Sequence, residues 1–167
     1  MVVVDDIRHD EYDAGGHSYL ETPNVDRLAA EGTSFHPTYH ATLLCSPSRA
    51  SLLTGQYASR HGILANTSCH RSSHNLDLFA IDLQKAGYRT AHVSKWHMGN
   101  DPTPRPGYDY WVSFAGQGLA YNPDLFEDGR IHKMHGYITD MATKFIRESS
   151  KQDKPFLCLY CSQSRIP

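Results

Sequence analysis

Short apolar runs alternate with helical patterns along this chain, and the alternation constrains the fold more than any other feature. The apolar runs at 2–4 and 156–161 and the segment 89–94 have strand character. Between 2–4 and 89–94, the segment 22–32 begins with a capping Thr followed by Pro and ends with Gly, which is typical of a helix. Strands that alternate with helices are typical of a mostly parallel sheet flanked by helices. We therefore predict an α/β fold.

Three further segments between the strands carry helix signals. The stretch 46–55 repeats the pattern of a capping Ser, a Pro and a terminal Gly. Apolar residues within 76–86 and 138–146 recur at helical spacing. By contrast, 99–133 is rich in Pro, Gly, Asn and Asp, so we expect a long functional loop there.

The composition excludes several classes of protein. The chain has 167 residues, which suffice for one domain with a buried core. Its 16 basic and 18 acidic residues give a formal net charge of -2, so we expect no nucleic-acid surface. No apolar run approaches the roughly 18 residues of a membrane-spanning helix, so we expect no membrane span.

Charged side chains follow two of the predicted strands. Asp5 and Asp6 come directly after the run 2–4, and Lys95 and His97 come directly after the segment 89–94. The carboxyl ends of parallel strands meet at one edge of a sheet, and ligands bind beyond that edge. The sequence therefore predicts that these residues share one site.

Asp5 and Asp6 are adjacent carboxylates, which repel each other when partly buried unless a cation offsets their charge. Calcium and magnesium bind carboxylate oxygens. The pair is therefore a candidate metal site, and a solvated turn is the alternative.

Cys45 lies directly before a Pro-initiated helix. Backbone N–H donors and the helix dipole favour an anion at such a position. Arg49, one turn further on, is a forked and permanently charged donor that suits tetrahedral oxyanions. These two residues predict a reactive side chain within an anion site, and a small buried cysteine is the alternative.

Lys95 and His97 flank Trp96, so in an extended segment they share one side while Trp96 packs on the other. A point charge and a titratable imidazole beside an anion could clamp it and transfer a proton. An ordinary strand end is the alternative.

The chain has four cysteines, of which Cys158 and Cys161 form a C-x-x-C pattern inside an apolar run. We interpret them as buried strand cysteines that point to opposite faces. A zinc or redox protein is the alternative, and it would need zinc retention that depends on both thiols.

The segment CSPSRASLLTG at 45–55 resembles the C-x-P-x-R core of the type I sulfatases and its extension. The carboxylate pair Asp5 and Asp6, the helix 22–32 and the segment KWHMG at 95–99 are similar to this family in the same order. PGYDYW at 106–111 and GYITD at 136–140 are also similar. The resemblance covers essentially the whole chain.

The resemblance implies a sulfuric ester hydrolase with an alkaline-phosphatase-like fold. In this family a formylglycine-generating enzyme converts the motif cysteine to formylglycine, so Cys45 would become the nucleophile. One hydroxyl of the hydrated aldehyde would attack sulfur and release the alcohol, and the other would then expel sulfate.

The resemblance also implies a role for each candidate residue. Asp5, Asp6 and the group derived from Cys45 would bind a divalent cation, which is usually calcium, with magnesium as the alternative. The catalytic residues would be Cys45, Arg49, Lys95 and His97. Arg49 would fix the diol, while Lys95 and His97 would also contact the sulfate.

The loops indicate the class of substrate. Asn66 and the polar segments 116–118 and 121–123 are similar to carbohydrate-directed members of the family. With Lys95 and His97, Asn66 is therefore a predicted substrate-binding residue for a sulfated sugar or another sulfated small molecule. Ordinary loop chemistry is the alternative.

The sequence also departs from the family pattern. In the family, further metal ligands and a second active-site lysine lie beyond position 167, and a histidine follows the last strand where 162–167 has none. We therefore expect 1–167 to be the N-terminal part of a sulfatase catalytic domain, incomplete at the C-terminus. The family is commonly periplasmic, extracellular or lysosomal, and without a recognisable signal segment we predict no compartment.

Two alternatives remain open. A phosphate or phosphonate ester hydrolase of the same superfamily fits, because the motif and a metal suit either tetrahedral centre. The other is a truncated, non-catalytic protein that binds at most an anion or a metal.

Overall fold

The structure, a computed structural model, describes residues 1–66, 70–127 and 129–163. Its strands are β1 (Val2–Asp5), β2 (Arg89–Ser94), β3 (Tyr110–Ser113), β4 (Asp124–Glu127), β5 (Arg130–Lys133) and β6 (Phe156–Gln163). Its helices are α1 (Pro23–Glu31), α2 (Cys45–Thr54), α3 (Ala58–His61), α4 (His70–His74), α5 (Phe79–Lys85) and α6 (Thr139–Ser149).

The six strands found in the described ranges form one mixed sheet in the order β1-β6-β2-β3-β4-β5. β6 runs parallel to β1 on one side and to β2 on the other, and β3 runs parallel to β2. Cys161 of β6 is paired with Val3 of β1 and with Ser94 of β2. The predicted α/β fold with a largely parallel sheet is confirmed.

The prediction of a long loop over 99–133 is wrong, because β3, β4 and β5 lie within it. β4 and β5 pair antiparallel with each other and extend the sheet beyond β3. These strands have four residues each, and the turn-forming residues around them hide their pattern in the sequence. Gly129, in the turn between β4 and β5, has a φ of 77°, and a left-handed Gly in a short connection is typical of a hairpin.

The core has two layers, one on each face of the sheet. The layer under α6 contains Ala91, Val93, Val112, Phe114, Phe145 and Cys158. The opposite layer, under α2 and α5, contains Ala50, Leu53, Leu78, Trp96, Trp111 and Leu159. Successive side chains of a strand point to opposite faces of the sheet. Since β2 and β6 are covered on both faces, their residues contribute alternately to the two layers. Cys158 lies in the α6 layer and Cys161 contacts Arg49 of α2, which agrees with the prediction of opposite faces.

The helix bounds differ from prediction at two places. α5 is shorter than the predicted 76–86. α2 begins at Cys45, one residue before the predicted cap, and Leu44 occupies the N-cap position. Ser46 does not cap the helix because its hydroxyl donates a hydrogen bond to the carbonyl of His97. In the part of the chain that is described, no helix has the length and apolar character needed to cross a membrane.

Candidate active site

The candidate site lies where β1 and β2 end on either side of β6. β1 ends at Asp5, and Lys95 directly follows β2. Lys95 Nζ lies 2.5 Å from Asp5 Oδ2, and only 1% of the Lys95 side chain is exposed. The parallel sheet therefore joins two residues that are 90 positions apart in sequence, as the shared-edge argument predicts.

Arg49 approaches the same edge from α2 and is almost fully buried. Its Nη2 donates to Asp5 Oδ1 at 2.9 Å, and its Nη1 donates to the Lys95 carbonyl at 2.6 Å. Nη1 also lies 2.9 Å from the Sγ atom of Cys161. These contacts hold the guanidinium in one orientation against the sheet edge.

Asp5 therefore carries two cationic partners. Burial alone would raise the pKa of the Asp5 carboxyl, but the hydrogen bonds from Lys95 and Arg49 outweigh it, so the pKa lies below its ordinary value. For Arg49, burial would lower the pKa, but the neighbouring Cys161 and Asp5 raise it above its ordinary value. Asp5 is therefore ionised, and Arg49 keeps its charge at neutral pH.

Cys45 is the first residue of α2 and is partly exposed. Its Sγ lies 3.8 Å from Lys95 Nζ, within reach of the buried ammonium group. The next backbone N–H, that of Ser46, donates to Asn66 Oδ1 at 2.9 Å. Asn66 thus lies beside the start of α2, and its carbonyl oxygen supports the helix terminus; its predicted contact with substrate stays a prediction.

His97 completes the described cluster. Burial, and then the positive charges of Lys95 and Arg49, lowers the pKa of His97 to about 4, so the ring is neutral at neutral pH. Its backbone is left-handed, with φ of 54°, so the extended geometry assumed from the sequence does not hold there. Nδ1 of His97 is buried and has no hydrogen-bond partner among the described residues.

A cavity of about 250 Å³ opens over this edge. Apolar residues of β1 and the 43–44 segment, with Ile7 and Leu52, form its apolar lining. Its polar lining consists of Asp5, Asp6, His40, Thr42, Cys45, Ser48 and Arg49. The cavity therefore gives access to Cys45 beside the buried cations, as an anion site requires.

Asp6 is exposed and lies next to the carboxylate of Asp5 along the chain, with φ of 58°. The two carboxylates offer oxygen donors that suit calcium or magnesium. However, the described residues contain no group of three or more His, Cys, Asp or Glu side chains arranged to hold a metal ion. Asp5 and Asp6 therefore fit one part of a cation site and do not complete it.

Comparison with known proteins shows the family of this chain. A family model described as Sulfatase matches residues 1–164. The chain belongs to the sulfatase family.

The sulfatase relatives include an N-acetylglucosamine-6-O-sulfatase from Bacteroides thetaiotaomicron, which is 38% identical over 152 residues, covering 87% of this chain and 26% of the relative. A solved structure in complex with its substrate D-glucosamine-2-N,6-O-disulfate is 34% identical, with a TM-score of 0.85, over 99% of this chain and 34% of that one. A second solved structure, in complex with k-i-k-neocarrahexaose, is 27% identical with a TM-score of 0.85. The match covers 99% of this chain and 44% of that one. The solved neighbours have the alkaline-phosphatase-like fold, which confirms that prediction.

The sulfatase chain described here spans about a quarter of the length of the curated relatives that it matches. Some predictions lie outside the described residues. They concern the segment 162–167 after the last predicted strand, which is described only to Gln163.

Sequence reasoning missed the contact of Cys161 with Arg49. The only signal was its position near the carboxyl end of a strand, where ligands gather in such sheets. The sequence predicts the Cys161 thiol only as a buried strand cysteine, whereas its sulfur lies against Arg49, a candidate catalytic side chain.

Proposed function

We propose that the protein to which these residues belong hydrolyses sulfate monoesters, with residue 45 as its nucleophile after conversion to formylglycine. One observation carries the proposal: two buried cations, Arg49 and Lys95, converge beside Cys45 at the mouth of a cavity. Preorganised positive charge of this kind stabilises an anionic transition state because it needs no reorganisation during the reaction.

Each residue has a distinct task in this proposal. Arg49 is fixed by three contacts and orients the hydroxyl groups at residue 45. Lys95 Nζ, 3.8 Å from Cys45 Sγ, donates to those hydroxyls and to a sulfate oxygen. His97 is neutral, so its ring can take up a proton as a general base and becomes positively charged when it does, and its unpartnered Nδ1 can donate or accept a hydrogen bond.

The family generally uses formylglycine and a divalent metal. In this protein Asp5 and Asp6 would hold the cation, with the group at residue 45 as a third ligand, and further ligands would come from outside the described residues. Calcium, or alternatively magnesium, would supply positive charge opposite the sulfate. A formylglycine-generating enzyme is the partner that the proposal requires.

A sulfated carbohydrate is the proposed substrate. The relatives described above include a sulfatase named for N-acetylglucosamine 6-sulfate and structures bound to a sulfated glucosamine and a carrageenan oligosaccharide. Asn66, beside the first turn of α2, would contact the sugar or support the anion site.

The test is a comparison of ester hydrolysis by the complete protein after co-expression with a formylglycine-generating enzyme. We expect turnover of glucosamine 6-sulfate and aryl sulfate at rates well above those for the matching aryl phosphonate. Cys45→Ala should abolish it, whereas Cys158→Ala, on the opposite face of β6, should not.

Faster hydrolysis of the phosphonate would favour the alternative esterase of the same superfamily. Residues 1–167 alone are matured and assayed in parallel. Turnover of a sulfate ester by this chain would overturn the alternative of a truncated, non-catalytic protein. Absence of turnover by the complete protein on every ester would contradict the proposal.

A further inference from the structure

We propose that the thiol of Cys161 is a positioning group for Arg49, which sets the guanidinium against the nucleophile at residue 45. The inference deepens the proposed function and rests on it. It starts from the place of Cys161 in the sheet: β6 lies between β1, which ends at Asp5, and β2, which is followed by Lys95. Cys161 therefore lies below the point where those two side chains and Arg49 meet.

The contact with Arg49 is direct. Arg49 Nη1 lies 2.9 Å from Cys161 Sγ and also donates to the Lys95 carbonyl at 2.6 Å. Both hydrogens of Nη1 thus point at the sheet, which leaves Nη2 for Asp5. Sulfur is a weak but polarisable acceptor, and it fills the space under the guanidinium that a smaller side chain would leave empty.

The sulfur is held in a fixed place. Cys161 is paired with Val3 and Ser94, and 3% of the residue is exposed. The Ser94 hydroxyl donates to the Cys161 carbonyl at 2.5 Å, and Ser94 has a φ of 113°, a conformation that an L side chain adopts only when neighbouring contacts enforce it. Since both strands hold the Cys161 backbone, the thiol can act as a rigid stop for the Arg49 side chain.

Cys158 is the matched control. It lies on the same strand three residues earlier, but its side chain packs in the layer under α6, away from Arg49. Both thiols are buried, and burial raises the pKa of each above its ordinary value, so both are neutral. The two cysteines therefore share chemistry and burial and differ in their contact with the guanidinium.

The first experiment measures sulfate ester hydrolysis by the matured complete protein. We expect Cys161→Ala to lower kcat about tenfold with KM changed by less than about threefold, because a loosened Arg49 misplaces the nucleophile more than it weakens ground-state binding. Cys161→Ser, which keeps an acceptor, should recover most of kcat. Cys158→Ala should keep the wild-type kcat.

The second experiment is a double-mutant cycle on urea unfolding, which needs no catalysis. Arg49→Lys combined with Cys161→Ala should show a coupling of about fivefold in the unfolding equilibrium constant, whereas Arg49→Lys with Cys158→Ala should be additive within about twofold. Kinetics of the single cysteine variants decide the matter if a double variant does not fold.

The outcomes separate the two proposals. If sulfate esters are hydrolysed with equal kcat by Cys161→Ala and Cys158→Ala, the positioning role of Cys161 is overturned and the proposed function stands. Equal coupling of the two cysteines to Arg49 would have the same consequence. Coupling that is specific to Cys161, without sulfatase activity in any variant, would overturn the proposed function and leave the contact between Cys161 and Arg49 supported.

Discussion

At the scale of single residues, the candidate site depends on a charge balance around one carboxylate. Asp5 accepts from Arg49 and Lys95, and both cations are buried. A buried charge that loses its partner is strongly destabilising, whereas an exposed charge is solvated by water. Asp5 therefore has a structural task in addition to its proposed role at the cation site.

Replacement of Asp5 and Asp6 in turn tests this balance. We expect Asp5→Asn to lower the free energy of unfolding by about 3 kcal/mol, because two buried cations lose their counter-charge. Asp6→Asn should change it by less than about 0.5 kcal/mol, since Asp6 is exposed. Urea unfolding without added metal measures both, and equal losses would contradict the charge balance.

His92 supplies a prediction of pH dependence. It is completely buried, stacked on Trp111 with 4.3 Å between ring centroids, and burial, with the charge of Arg49 next, lowers its pKa from 6.5 to about 3. Below pH 6.5 the unfolded chain binds a proton at His92 that the folded chain does not bind. The stability due to neutral His92 is therefore lost as the pH falls from 6.5 to about 3, by up to about 1.4 kcal/mol per pH unit.

The free energy of unfolding measured between pH 7 and pH 4 checks this. His92→Leu should remove this contribution to the pH dependence of the free energy of unfolding, whatever the substitution does to stability at pH 7. A His92→Leu profile parallel to that of the wild type would show that His92 does not resist protonation in the folded protein.

At the scale of elements, the turn before β3 packs closely against α5. Gly107 has a φ of 91°, and a Cβ added there would lie 2.6 Å from the backbone nitrogen of Ile81. Only a residue without a side chain fits both the conformation and the space. This contact fixes where β3 enters the sheet beside β2.

Gly107→Ala should therefore lower the free energy of unfolding by about 3 kcal/mol, through left-handed strain and a backbone clash together. Gly129→Ala, in the turn between β4 and β5, should cost about 1 kcal/mol. Its φ of 77° is also left-handed, but apart from its chain neighbours no atom of the described residues lies within 4 Å of an added Cβ. Thermal and urea unfolding compare the two variants. A similar cost at both positions would mean that the clash with α5 relaxes freely.

The elements also show how far the sequence alone leads. β1 and β6 could be predicted from their apolar runs and β2 from the strand character of 89–94, and their shared edge followed from the parallel topology. The hydrogen bonding at the N-terminus of α2 could not be predicted. The backbone N–H of Ser46 donates to Asn66, 20 residues away, and no local spacing signals such a contact. The contact between Arg49 and Cys161 spans 112 residues and depends on strand order, which the sequence does not specify.

At the scale of the whole molecule, β1 and α1 expose apolar side chains, among them Val2 and Val4 of β1 and Val25 and Leu28 of α1. β1 is an edge strand in the described sheet, and none of the nine described residues of α1 is buried. Leu28 of α1 is 67% exposed, while Leu53 of α2 is 3% exposed within the core. Burial, and not residue type, should therefore decide how much each leucine contributes to stability.

Alanine at these two positions measures that difference. Leu53→Ala should lower the free energy of unfolding of the 167-residue chain by about 2–5 kcal/mol through the cavity it leaves. Leu28→Ala should change it by less than about 0.5 kcal/mol, since the side chain contacts little in this chain. A large loss for Leu28→Ala would show that α1 is packed in solution, against a second molecule or another part of the protein.

The most direct test of the account is the mass of the peptide that contains residue 45, taken from protein co-expressed with a formylglycine-generating enzyme. The account predicts that the thiol of Cys45 is replaced by an aldehyde, and that Cys158 and Cys161 keep their thiols in the same sample. An intact thiol at Cys45, in protein that nevertheless hydrolyses sulfate esters, would contradict the assignment of residue 45 as the nucleophile.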